Sequence, residues 1–225
     1  MDILAFDCAA NTVSAAFWRD GEILDEQYLN LPYGHSETLM PMIARILSNL
    51  EIKLCALDYI AATTGPGSYT SMRVGASTAK SLSHATGIPI IKVPTLDALA
   101  YNMCMMKDTL IVPVIDARRD CVYTCFYLSD GEVLRKLTDC AAMPNSCATD
   151  TANRLREEHR LSDVVFLGNP PKTLQVKEHG FLLAPPNNSF LRASSVAHLA
   201  RLYMKENLAD YENFEVMYLR REDSR

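Results

Sequence analysis

The sequence has no surplus of basic charge. Lys plus Arg number 22 against 27 Asp plus Glu, a net charge of −5 over 225 residues. A domain that grips nucleic acid unaided carries a basic face and a pI above about 9. The pI here is near 5.5, so any RNA contact needs a more basic partner. No uncharged apolar stretch reaches the roughly 18 residues of a membrane span. The opening MDILAFD carries acids at positions 2 and 7 instead of the basic start of a secretion signal. The five histidines stand at 35, 84, 159, 179 and 198, so no His-x-x-x-His metal pair exists. The cysteines at 8, 55, 104, 121, 125, 140 and 147 are odd in number and scattered, which reads as free thiols in a reducing cytosol. Cys121 and Cys125 stand four apart, but the paired knuckles of a zinc site are missing. These absences point to a cytoplasmic protein without a metal of its own.

Apolar residues make up 48% of the chain and charged residues 22%, which is globular composition. Residues 2–7, 13–18 and 22–29 read as three strands, and Asp20-Gly21 marks a hairpin turn between the last two. Residues 35–50 read as a helix with Pro41 in its first two turns. A buried strand at 57–64, a helix at 69–86 closed by Gly87 and Pro89, a short strand at 90–93 and a helix to about 105 follow. The order is βββαβαβα. ILAFD at 3–7 then recurs as VPVID at 112–116, an offset of 109 that also carries Val13 to Val122, Phe17 to Phe126 and Trp18 to Tyr127. After one inserted residue, Asp20-Gly21-Glu22 maps to Asp130-Gly131-Glu132. Two α/β lobes follow from this repeat, residues 1–106 and 107–225, with a C-terminal helix that is free to pack back on the first. In the second lobe, helices near 150–159, 171–178 and 194–206, a strand at 164–167 and a loop at 184–189 are expected.

Two tandem lobes that each open with a hairpin starting at an Asp resemble the actin, sugar-kinase and Hsp70 superfamily. The resemblance implies a mixed sheet flanked by helices in each lobe, RNase H-like in plan. In that superfamily the hairpin turn holds phosphate and the Asp holds metal-linked water. Such turns need glycine, so that backbone N–H groups can reach phosphate oxygens. No glycine follows Asp7 (Cys8-Ala9-Ala10-Asn11-Thr12) or Asp116 (Ala117-Arg118-Arg119-Asp120). Each Asp is open to two readings, a strand-end carboxylate capping its turn or a remnant of the phosphate site. Gly65-Pro66-Gly67 forces a turn before the helix at 69, where Ser68 or Thr70 caps the helix. Free N–H groups there make Gly65, Gly67 and Ser68 a further candidate anion loop. No Walker lysine follows.

The first two helices carry candidate docking residues. At about 100° per residue the apolar arc of residues 39–50 spans about 160°, wider than one sheet contact requires. Ser71, Gly75, Ala79 and Ser83 recur every four residues and form a small-residue ridge that another helix can approach. The candidate interface is Leu39, Met40, Ile43 and Leu47 with Met72, Gly75, Ala76, Ala79 and Ser83.

The string GPGSYTSMR at 65–73 running into Gly75, together with ILAFD, Asp20-Gly21, His35 with Leu39 and Pro41, resembles the TsaB (YeaZ) family. Val93-Pro94-Thr95-Leu96, Asp116-Ala117-Arg118 and Tyr218-Leu219-Arg220 extend the resemblance over most of the chain. Cys8-Ala9, Tyr69 and Ser71 depart from that family's usual residues. The resemblance implies a non-catalytic subunit needed to form threonylcarbamoyladenosine beside the anticodon of tRNAs reading ANN codons. It implies a catalytic paralogue, TsaD, and an ATPase, TsaE, as partners, with ATP and a metal ion in those proteins and no cofactor here. It also implies tRNA contact only within the complex, and leaves a homodimer open when the chain is alone. An autonomous small-molecule kinase or ATPase using Asp7 and Asp116, and a glycopeptidase-like enzyme, are the competing readings. His35 reads as a cap or packing residue.

Overall fold

A computed structural model describes residues 1–31 and 33–219. Arg220, the end of one motif above, lies outside them. The chain forms β1 (Asp2–Asp7), β2 (Thr12–Arg19), β3 (Glu22–Asn30), α1 (His35–Asn49), β4 (Tyr59–Thr63), α2 (Tyr69–Thr86), β5 (Ile90–Val93) and α3 (Thr95–Tyr101). It continues as β6 (Thr109–Asp116), β7 (Cys121–Thr124), β8 (Tyr127–Ser129), β9 (Leu134–Lys136), β10 (Ala141–Pro144), α4 (Asn145–Glu158), β11 (Asp163–Asn169) and β12 (Phe181–Leu183). It ends with α5 (Ala193–Tyr203) and β13 (Leu208–Ala209). Two compact units result: Met1–Ala98 with Leu191–Met217, and Leu99–Phe190 with the two described residues after Met217.

In the first unit the sheet runs β13-β5-β4-β1-β2-β3. β1 lies antiparallel to β2 and parallel to β4, which is parallel to β5. Side chains alternate across a strand. Leu4 and Phe6 therefore join Val13, Ala15 and Phe17 in one cluster with Leu39, Met42, Ile43 and Ile46 of α1 and Ala79 and Leu82 of α2. Ile3 and Ala5 point to the opposite face, where α5 packs on β1 and β2. With both faces covered, β1 reads as an unbroken apolar run. Each fully buried Leu or Ile of this layer contributes about 1.5–3 kcal/mol. α5 is tied to β3 through Glu26. Its carboxylate pairs with Arg192 and accepts the Ser194 backbone N–H at 3.0 Å and the Ser194 hydroxyl at 2.8 Å. A carboxylate at a helix start meets the positive end of the dipole and satisfies an otherwise orphaned N–H.

The second unit repeats the plan, with β10-β7-β6-β11-β12 in order and β8 joining β6 to β9. β6 pairs antiparallel with β7 and β8 and parallel with β11. Its core is Leu110, Val112, Val114, Phe126, Phe166, Ala148, Ala152 and Leu155. The two copies share an irregularity. The β2–β3 register slips between Phe17 and Trp18, and the equivalent strand breaks between β7 and β8 at Cys125-Phe126. This is the neighbourhood where the repeat takes its inserted residue. The two α/β lobes expected from the repeat are observed, but the first division falls at Ala98/Leu99 instead of 106/107, and Leu191–Met217 belongs to the first unit because α5 packs on β1 and β2.

Three local expectations change. Residues 171–178 form a turn, not a helix. Leu174 and Val176 are two apart and cannot share a helical face, yet both reach the same core, Leu174 buried and Val176 half-buried. α4 starts at Asn145 instead of near 150, because its buried stripe is Asn145, Ala148, Ala152 and Leu155, mostly too small and polar to register as an apolar face. α3 ends at Tyr101 and continues only as turns.

Candidate functional site

β1 delivers Asp7 into the core, where it is 1% exposed. Its Oδ1 accepts the Thr63 hydroxyl at 2.6 Å and the Ala9 backbone N–H at 3.1 Å. Its Oδ2 is buried with no hydrogen-bond partner. Burial pushes the carboxyl up to about 6, against the pull of the Thr63 hydroxyl and the Ala9 and Cys8 N–H groups. His35 Nε2 lies 2.8 Å from the Ala10 carbonyl and holds the far side of the turn, the packing role expected of it.

The Gly65-Pro66-Gly67 turn is closed by this chain's own backbone. Gly65 sits at φ +107°, and a Cβ there would lie 2.6 Å from the Met217 carbonyl oxygen. The Met217 N–H donates to the Thr64 carbonyl at 2.6 Å, and the Thr95 N–H to the Gly65 carbonyl at 2.9 Å. A Cβ on Gly67 would collide with the Ala9 carbonyl, and that carbonyl already accepts the Ser68 N–H at 2.8 Å. The glycines therefore serve close backbone approach, and Ala9 occupies the space a phosphate oxygen needs at Gly67. Ser68 is the N-cap residue of α2, but its side chain makes no capping bond.

Asp116 is exposed at the end of β6, and its Oδ1 accepts the Arg118 N–H at 2.7 Å. Both repeat carboxylates thus bond the backbone N–H two residues on. Arg118, Arg119 and Asp120 all have positive φ, between 52° and 60°. In both turns the amide that an anion would use is taken by the chain's own side chain.

The docking residues divide. Leu39, Ile43, Met72, Gly75, Ala79 and Ser83 are buried in this chain's own interior and offer no surface. The buried residues of α1, at 39, 42, 43 and 46, fill only about 100° of arc, the width of a single sheet contact. The small ridge of α2 serves close approach to the first turn, with Gly75 facing Cys8. Met40 is exposed, while Leu47 and Ala76 are half-buried.

What the two helices do present is an open groove of about 680 Å³. Met40, Val74 and Leu82 give it apolar walls, and Ser77 and Ser81 give it hydroxyls. At its rim the Arg73 guanidinium stacks 3.9 Å from the Tyr69 ring centroid. The outward stripe of α2 is 69-73-77-81, two positions before the small-residue ridge. Arg73 is the signal in the sequence, because an arginine is rarely fully buried.

Two repeated α/β lobes, each opening on an Asp-turned hairpin, define an actin-like protein. The family profile described as "TsaD: tRNA N6-adenosine threonylcarbamoyltransferase" matches residues 32–175. The TsaB protein of Bacillus subtilis, named for tRNA threonylcarbamoyladenosine biosynthesis, is 34% identical over 169 residues, 75% of this chain and 71% of its own. Its Escherichia coli namesake is 33% identical over 131 residues, 58% of this chain and 56% of its own. A Pseudomonas aeruginosa structure described as similar to peptidase YEAZ superposes with a TM-score of 0.80 at 24% identity, covering 97% of this chain and 99% of that one. The chain belongs to the TsaB (YeaZ) family. Among the described residues no helix is long and apolar enough to cross a membrane.

Proposed function

We propose that this chain serves threonylcarbamoyladenosine formation in tRNA as a non-catalytic subunit that docks a TsaD-type transferase through the α1–α2 groove. The observation that carries this reading is the contrast between the two candidate sites. The Asp7 turn is filled by Ala9, while the groove between α1 and α2 is open, apolar at its walls and rimmed by a cation on an aromatic ring. The names of the Bacillus and Escherichia relatives support the pathway. In this reading the subunit works in the cytoplasm without a cofactor, and ATP and a metal ion belong to the transferase and a TsaE-type ATPase. With a net charge of −5 it meets tRNA only inside the complex. Alone, it pairs with a second copy over the same groove.

The test is a double substitution, Met40→Glu with Ser77→Trp, on two exposed positions of the groove. The expected result is an unchanged melting temperature with loss of co-elution with the transferase and loss of tRNA modification. Normal co-elution would move the docking surface elsewhere. One observation favours a second reading, a residual actin-type nucleotide site: the buried Asp7 Oδ2 has no partner. Tight ATP binding with steady turnover by the isolated chain would establish it.

A further inference from the structure

The second unit holds a pair of thiols that the proposed function does not use. Cys125 lies in the break between β7 and β8, and Cys140 directly precedes β10. β10 runs antiparallel to β7 with Ala141 opposite Thr124. The next step of that register sets Cys140 opposite Cys125. Directly opposed residues have Cα atoms about 4.5–5.5 Å apart, inside the range a disulfide spans. The side chains meet accordingly, with the Cys140 thiol donating to Cys125 Sγ at 3.3 Å. Cys125 Sγ also shares a hydrogen bond of 2.9 Å with the Tyr127 hydroxyl. Cys125 is fully buried and Cys140 half-buried, so Cys140 is the residue of the pair that meets solvent.

We infer that Cys125 and Cys140 form a reversible redox site that a peroxide converts to a disulfide. Cys140 is the attacking thiol, because its residue is half-buried where Cys125 is fully buried. Its thiolate attacks a peroxide oxygen, the O–O bond breaks, and an S–O bond forms to give the sulfenic acid with release of water or an alcohol. Cys125 sulfur then attacks the sulfenic sulfur. The S–S bond forms, and the hydroxyl leaves with the Cys125 proton as water. The two thiols lose two electrons and the peroxide gains them. Burial raises the Cys125 thiol far above its ordinary range, which suits the resolving partner and not the first attacker. The closed link ties β10 to the β7–β8 junction and encloses the β8–β9 hairpin.

The test treats the full chain with hydrogen peroxide and reads intact mass and peptide maps. The expected product is about 2 Da lighter than the reduced chain, with the peptides of Cys125 and Cys140 joined, and dithiothreitol reverses it. In Cys140→Ser the Cys125 peptide stays reduced under the same treatment. In Cys125→Ala, Cys140 accumulates oxygen without the link. Exposed Cys55 and Cys147 serve as internal references in every sample. Sulfinic acid at Cys140 of the wild type without the link, links running through Cys55 or Cys147 in place of the pair, or an unreacted pair would each overturn the inference.

Discussion

Replacing Asp7 by Asn keeps the shape of the first turn and removes a charge the folded chain holds at a disadvantage. Burial raises the carboxyl from its ordinary 3.8 to about 6. Folding therefore favours the protonated acid. That contribution is whole below pH 3.8 and is lost as the pH rises through 6. Above pH 6 the wild type carries an ionised, partly unpaired carboxylate in its core. A gap of about two units corresponds to about 3 kcal/mol. Asn retains an acceptor for Thr63 and Ala9. It places an unpaired donor where the protonated acid also has one, so the two proteins are nearly equal near pH 4. At pH 7.5 Asp7→Asn is expected to be more stable by about 2–3 kcal/mol, which raises the melting temperature by about 4–12 °C in a chain of this size.

The assay is thermal unfolding of both proteins from pH 4 to 8, followed by tRNA modification in the reconstituted system. The curves should coincide near pH 4, separate between 4 and 6, and stay parallel above. Modification should be largely retained. A variant that melts below the wild type at pH 7.5 would mean that something holds the ionised form, against the geometry described above. A thousandfold loss of modification with normal folding and complex formation would return Asp7 to catalysis.

Ala79→Trp puts an indole where α2 meets its own sheet, and dense packing cannot absorb that volume. A collapsed melt of the isolated chain is expected; a near-normal melt would show that the ridge faces outward after all. Gly67→Ala drives a Cβ into the Ala9 carbonyl and should destabilise the first turn by about 1–3 kcal/mol, read by denaturant unfolding. Glu26→Ala removes the carboxylate that holds Arg192 and Ser194 and should cost about 2 kcal/mol. Burial pushes the Glu26 carboxyl up, but Arg192 and Ser194 more than offset it, so the group sits below its ordinary 4.5. Its stabilising share is present above pH 4.5 and is lost as the pH falls through the lowered value, and the Ala variant should lack that acid dependence.

Much of this was legible in the residues. The ILAFD and VPVID copies place β1 and β6 at equivalent positions in two sheets, and α2 spans 69–86 as its capping glycine indicates. The unread parts share a physical cause. α4 is buried through alanines and one asparagine, so no large apolar stripe marks its first turn. β13 has two residues and exists through its pairing with β5, which local sequence does not encode. The small ridge of α2 stands out by size, but small residues allow close approach to any neighbour. Which neighbour is approached depends on the outward constraint of Arg73, and that fixes the face.

The two Asp turns also bear on where recognition can reside. An anion-binding turn offers unsatisfied N–H groups. At Asp7 and at Asp116 the N–H two residues on is satisfied by the Asp itself. At the start of α2 the Ser68 N–H is satisfied by Ala9, and the Met72 N–H begins the helix ladder on the Ser68 carbonyl at 2.8 Å. A ligand phosphate at either Asp turn would have to displace a bond already made, at Asp7 in a core position with no water to compensate it. The groove imposes no such exchange. Of its apolar walls, Met40 is exposed, Val74 half-buried and Leu82 buried, on helices whose inner faces are already anchored in the sheet, and its hydroxyls have room to turn toward a partner. Covering it gains apolar burial without breaking a bond of the fold. This contrast supports the proposed docking of a protein at α1–α2 over a nucleotide at Asp7.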